Sequence, residues 1–114
     1  MIKVNEILLK FSKTGRLIMI KIAFFDVDGT LLRLRHKELS ANTVAAVLRH
    51  YVFSKDEAIA FGDGHNDIEM LEAVGMGIAM GNAKDEVKAK ADFVCKSVED
   101  DGIYHYCIEN KLIF

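Results

Sequence analysis

Asp26 and Asp28 stand two residues apart in Asp26-Val27-Asp28-Gly29-Thr30, and Asp63 and Asp67 stand four apart in Gly62-Asp63-Gly64-His65-Asn66-Asp67. Carboxylates converging at this density repel one another unless a hard cation sits among them, and oxygen-only ligation is what Mg²⁺ prefers. The glycines at 29, 62 and 64 would let the backbone turn sharply and bring N–H groups toward an anion. Such residues suit attack by one carboxylate on a phosphate whose charge a metal neutralises. Asp and Gly are also common turn residues, so either segment alone carries little weight. Position adds the rest. Both segments follow apolar runs that read as parallel strands, and ligand sites in open α/β sheets form at the C-terminal strand edge.

The first run, Leu17 to Phe25, is β-branched and aromatic and stops abruptly at Asp26, the pattern of a buried parallel strand feeding a loop. The second, Glu57 to Phe61, stops the same way at Gly62-Asp63-Gly64. Between them, Leu39 to Tyr51 reads as a helix, with Ser40 as N-cap and Val44, Val47, Leu48 and Tyr51 at helical spacing. A helix is predicted from Asp67 to Val74, with acidic residues in its first turn and Gly75 as its stop. Gly77 to Met80 reads as a short strand closed by Gly81-Asn82, Ala83 to Ala91 as a helix, Asp92 to Cys95 as a last strand and Gly102 to Asn110 as a terminal helix. Strands alternating with helices imply an α/β fold, a parallel sheet wrapped by helices.

The first sixteen residues are ambiguous. Val4, Ile7, Leu8 and Phe11 suit an amphipathic helix, but Glu6 to Phe11 also suits a strand, with Lys13-Thr14-Gly15-Arg16 as a hairpin turn. Met19 looks like a natural start, so residues 1–18 read as an N-terminal extension and 19–114 as the core domain.

The chain of 114 residues is 51% hydrophobic and 28% charged, which fits one domain with a modest core and excludes a disordered chain. A formal net charge of −2, with no basic run, gives no reason to expect nucleic acid or an anionic membrane as partner. The longest apolar stretch is interrupted by Lys21 and is too short to span a bilayer. Cys95 and Cys107 form no metal-binding pattern. Two reduced thiols and no visible secretion signal make the cytoplasm the expected compartment.

Asp26-Val27-Asp28-Gly29-Thr30-Leu31-Leu32 resembles the first motif of the haloacid dehalogenase superfamily of phosphatases, and Gly62 to Leu71 is similar to its fourth. The following Gly75-Met76-Gly77-Ile78-Ala79-Met80-Gly81-Asn82-Ala83 resembles the Cof-type branch, which hydrolyses sugar phosphates and related small esters. The resemblance implies a Rossmann-like core and Mg²⁺ as cofactor. Asp26 would be the nucleophile that forms an aspartyl-phosphate, and Asp28 the acid that protonates the leaving oxygen and later activates water. Asp63 would bind Mg²⁺ directly beside Asp26 and Asp28, with Asp67 and Asn66 in support. Gly29 and Thr30 complete the first phosphate loop. His65 falls in a variable slot and is given no catalytic role, and His36, His50 and His105 read as ordinary residues.

Members of this branch also carry two further strands, a phosphate-binding Ser or Thr, a Lys before the post-cap helix and a large cap domain, all between these motifs. Here only about twenty residues separate Thr30 from Phe53. The cap, second motif and third motif are therefore expected to be missing. Thr14-Gly15-Arg16 matches the phosphate-binding motif but precedes the first core strand, which puts it at the far edge. Lys37 is the residue near enough to stand in for the family Lys. Losing the two strands would bare the edge of the strand at Leu17, to be covered either by the N-terminal segment or by a homodimer. The expected activity is weak, Mg²⁺-dependent hydrolysis of a small phosphorylated metabolite. A non-catalytic metal-binding interaction module and an internally deleted family remnant are the alternative readings.

Overall fold

In the computed structural model of the chain, the described residues are 2–11, 17–25 and 41–110. Five strands form one sheet in the order β1-β2-β3-β4-β5. β2 (Leu17–Phe25), β3 (Ala58–Gly62), β4 (Met76–Ala79) and β5 (Phe93–Val94) are parallel. The N-terminal segment is a strand, β1 (Ile2–Phe11), antiparallel to β2, with Phe11 level with Leu17 and Ile2 level with Ala23. The register shifts between Lys3, level with Ile22, and Leu8, level with Ile20. The outer edge of β2 is thus covered by β1 of the same chain, one of the two ways in which that edge was expected to be covered.

Every residue of β3 and β4 is buried, which requires cover on both sheet faces and explains why these strands lack polar alternation. On one face, Ile22, Phe24, Ala58 and Ala60 pack with Val44 and Leu48 of α1 (Ala41–Tyr51), Met70 and Leu71 of α2 (Ile68–Ala73) and Val87 of α3 (Asp85–Lys90). On the other, Ala23, Ile59, Phe61, Met76 and Ile78 pack with Tyr106 and Cys107 of α4 (Gly102–Glu109). Burial in this layer pushes the Tyr106 hydroxyl far above its ordinary pKa. The result is a three-layer α/β/α domain. Among the described residues there is no second domain.

Several elements are shorter than their sequence pattern. The helix expected from Ala83 begins at Asp85, and buried Ala83 joins the core instead. The helix expected from Asp67 begins at Ile68, after a tight 3₁₀ turn over His65–Asp67. β5 is only two residues long, and both are exposed at the sheet's open edge. Gly77 N–H donates to Asp92 Oδ2 at 2.8 Å and Asp92 N–H to Gly77 O at 2.7 Å, fixing where β5 starts beside β4. Ser40 lies outside the described residues.

α1 ends in a Schellman motif. Phe53 N–H donates to Leu48 O at 2.9 Å and Val52 N–H to Arg49 O at 3.1 Å. This places Val52 at the left-handed position with φ 58°, where a β-branched residue is strained, and its side chain is 88% exposed, so no packing compensates. Val52→Gly should therefore stabilise the fold by about 1 kcal/mol, read as a higher urea midpoint at unchanged slope.

Lys21 of β2 ties the sheet to the turn that precedes β3. Its ammonium lies 2.6 Å from Glu57 and 5.6 Å from the Phe53 ring centroid. The Lys21 hydrogen bond, then the Ser54 N–H, hold the Glu57 carboxyl below its ordinary pKa. A lowered carboxylate pKa contributes stability that is complete above the unfolded-state value and lost as pH falls through the folded-state value. Glu57→Gln should lower the urea midpoint at neutral pH and converge on the wild type in acid.

Candidate active site

β3 and β4 run parallel with Gly62 level with Ala79, and Met80 N–H donates to Gly62 O at 2.9 Å. The segments that leave these strands therefore emerge side by side at the sheet's C-terminal edge. One carries Asp63 to Asp67 and the other Gly81-Asn82. β2 lies on the other side of β3, with Phe25 level with Phe61, and Asp26 is the next residue in sequence. Asp26, Asp28, Gly29 and Thr30 lie outside the described residues, as do Lys37 and Thr14-Gly15-Arg16.

Asp67 organises the loop from inside. It is 4% exposed, the one charged residue among the buried side chains of the described residues, and its Oδ2 accepts the N–H of Asp63 at 3.0 Å and of Gly64 at 2.9 Å. Such charge-assisted bonds offset the cost of burying a carboxylate. The loop N–H groups expected to face an external anion are thus taken by the protein's own carboxylate. Asp67 N–H donates to Gly64 O at 2.9 Å, which closes the turn from the other side.

The glycines serve space more than conformation. A Cβ on Gly62 would stand 2.6 Å from Asp67 Cβ and 2.9 Å from its Cγ, so the buried carboxylate can sit there only against a glycine. Gly64 has φ −101°, open to any residue, but its Cβ would stand 2.5 Å from Asn66 Oδ1. Neither position has a left-handed backbone.

Asp63 is half-buried, and its Oδ2 accepts Asn82 Nδ2 at 3.1 Å. Asn82 also accepts the Val98 N–H at 2.9 Å through its Oδ1. Asn66 is exposed beside the turn. Exposed His65 reaches toward α3, with Nδ1 3.3 Å from Glu86 Oε1. The structure thus brings Asp63, Asp67 and Asn82 together. Asn82 was missed as a site residue, although a Gly-Asn pair closing a short buried strand at this edge was the available signal. Among the described residues no three acidic, His or Cys side chains converge on a metal site.

The oxygen chemistry of this loop fits a hard divalent cation, with Asp63 as its donor from the described residues. Asp67 spends Oδ2 on the backbone and supports the loop. Among the described residues no helix is long and apolar enough to cross a membrane.

Residues 41–107 match the family model of haloacid dehalogenase-like hydrolases. The chain is 47% identical over 80 residues to the putative phosphatase YkrA of Bacillus subtilis, covering 70% of this chain and 31% of that protein. Among solved structures, it is similar to a phosphatase of the haloalkanoate superfamily from Bacteroides thetaiotaomicron, with 40% identity and TM-score 0.61 over 64% of this chain and 27% of that one. It is also similar to a subclass IIB sugar phosphatase, with 38% identity and TM-score 0.62 over 64% of this chain and 28% of that one. The chain thus spans about a third or less of these relatives. With the match covering the loop of Asp63 and Asp67 and the strands that carry it, the chain belongs to the haloacid dehalogenase-like hydrolase family.

Proposed function

We propose that the chain is a Mg²⁺-dependent phosphohydrolase acting on small phosphate esters, a phosphorylated sugar being the class that its similarity to a sugar phosphatase supports. The observation that carries the reading is Asp63, held by Asn82 and by the loop around buried Asp67 at the C-terminal sheet edge, beside the strand that leads into Asp26. A carboxylate oxygen of Asp26 attacks phosphorus, the bond from phosphorus to the ester oxygen breaks, and Asp28 donates its proton to the departing alcohol. Asp28 then takes a proton from water as that water attacks the aspartyl-phosphate, which releases inorganic phosphate and restores Asp26. Mg²⁺ would be held by Asp63 with Asp26 and Asp28 and would supply charge neutralisation for the phosphoryl group.

Asp67 fixes the backbone from which Asp63 projects, and the family resemblance implies that Gly29, Thr30 and Asn66 would border the phosphate. The sequence offers no Ser or Thr in the family's second-motif position, and loss of one such contact lowers rates by about a hundredfold or more. Turnover is therefore slow and tolerant of the alcohol. The experiment is phosphate release from a set of sugar phosphates and an aryl phosphate, in Mg²⁺ and in EDTA. Release that requires Mg²⁺ supports the reading. Release indifferent to EDTA, or none from any ester, overturns it and puts the metal-binding interaction module first.

A further inference from the structure

Asn82 is clamped at both ends of its amide. A backbone N–H can only donate, so the Val98 N–H at 2.9 Å fixes which end of the amide is Oδ1. The NH₂ end must then face Asp63, where it donates to Oδ2 at 3.1 Å. Asp63 cannot swing away from this donor freely, because its own N–H is held by Asp67 Oδ2 at 3.0 Å. One oxygen of the carboxylate is therefore occupied by protein, and Oδ1 has no partner among the described residues. The three segments in this chain of contacts come from β3, from β4 and from the turn after β5.

Resting on the Mg²⁺ reading above, we propose that Asn82 is a positioning residue that makes Asp63 a one-oxygen donor and so biases the site toward Mg²⁺ over Ca²⁺. Ca²⁺ takes six to eight oxygens and readily uses both oxygens of one carboxylate, whereas Mg²⁺ demands six at short distance. An amide N–H on Oδ2 competes with the two-oxygen mode and leaves the one-oxygen mode untouched. Removing the donor frees Oδ2 for the larger cation. Groups that orient a ligand typically change metal affinity by ten- to a hundredfold. A group that merely supports the fold would weaken both cations alike.

The test is calorimetric titration of the full chain with Mg²⁺ alone and with Ca²⁺ alone, in the wild type and Asn82→Leu, with urea midpoints as the check on folding. The expected result is a shift of the Mg²⁺-to-Ca²⁺ affinity ratio toward Ca²⁺ by about tenfold or more in Asn82→Leu. If that variant does not fold, Val98→Pro decides. Val98 opens the 3₁₀ turn over Val98–Asp100, where proline is tolerated, and Ser97 before it has φ −68° and ψ 164°, the backbone that a following proline requires. Val98→Pro deletes the N–H that orients the amide and leaves Asn82 in place, so the ratio shifts the same way by a smaller factor. An unchanged ratio in the deciding variant, whether both affinities hold or both fall together, overturns the proposal and leaves the Mg²⁺ reading standing. A wild-type chain that binds neither cation overturns both.

Discussion

Asp63→Ala should lower Mg²⁺-dependent phosphate release by about a thousandfold, to near the level without enzyme, while leaving the fold nearly intact. The two effects separate because of where Asp63 sits. Its side chain is half-buried at a strand end, and its contact among the described residues is the Asn82 amide. Losing one hydrogen bond at such a place costs about 1 kcal/mol. Losing the carboxylate removes the proposed metal donor. The measurement is phosphate release at saturating Mg²⁺ beside a urea unfolding curve. Turnover near the wild-type rate would place the metal elsewhere.

Asp67→Ala should do the reverse and act first on stability, by about 3 kcal/mol or more. The Asp67 carboxylate is buried and accepts the N–H groups of Asp63 and Gly64 through one oxygen. Its removal leaves those donors unpaired and opens a hole against Gly62, where no side chain exists to fill it. Phosphate release falls as well, because the backbone that aims Asp63 is released. Asp67→Asn keeps an oxygen that can accept the same N–H groups, so it should lose about half as much stability. Equal losses for Ala and Asn, read from urea midpoints, would show that the negative charge holds the loop and that neither the shape of the side chain nor a neutral acceptor replaces it.

The strands that position the site were legible because they are buried on both faces. Runs such as Ile59-Ala60-Phe61 and Ile22-Ala23-Phe24 have no polar face to show, and each stops at a glycine or an aspartate. β1 was harder, since Val4, Ile7, Leu8 and Phe11 satisfy a helical period as well as a strand. The choice is made by pairing with β2, a contact between segments that no local period encodes. The first-motif aspartates lie outside the described residues, and their roles rest on family resemblance. The internal work of Asp67 was hidden because a buried acceptor and a metal ligand are the same residue type in the same motif. Asn82 was hidden for another reason. Its partners, Asp63 and Val98, lie 19 and 16 residues away and meet it only when β3, β4 and β5 stand side by side.

We propose that these two strand-end loops form one phosphoryl-transfer site with Asp26 as nucleophile. The most direct test is hydrolysis of an aryl phosphate in Mg²⁺ by the wild type and by Asp26→Asn, prepared identically. The expected result is slow, Mg²⁺-dependent release by the wild type and none above background by the variant. Equal release by the two proteins would contradict it, because the chemistry would then proceed without the carboxylate assigned to attack phosphorus.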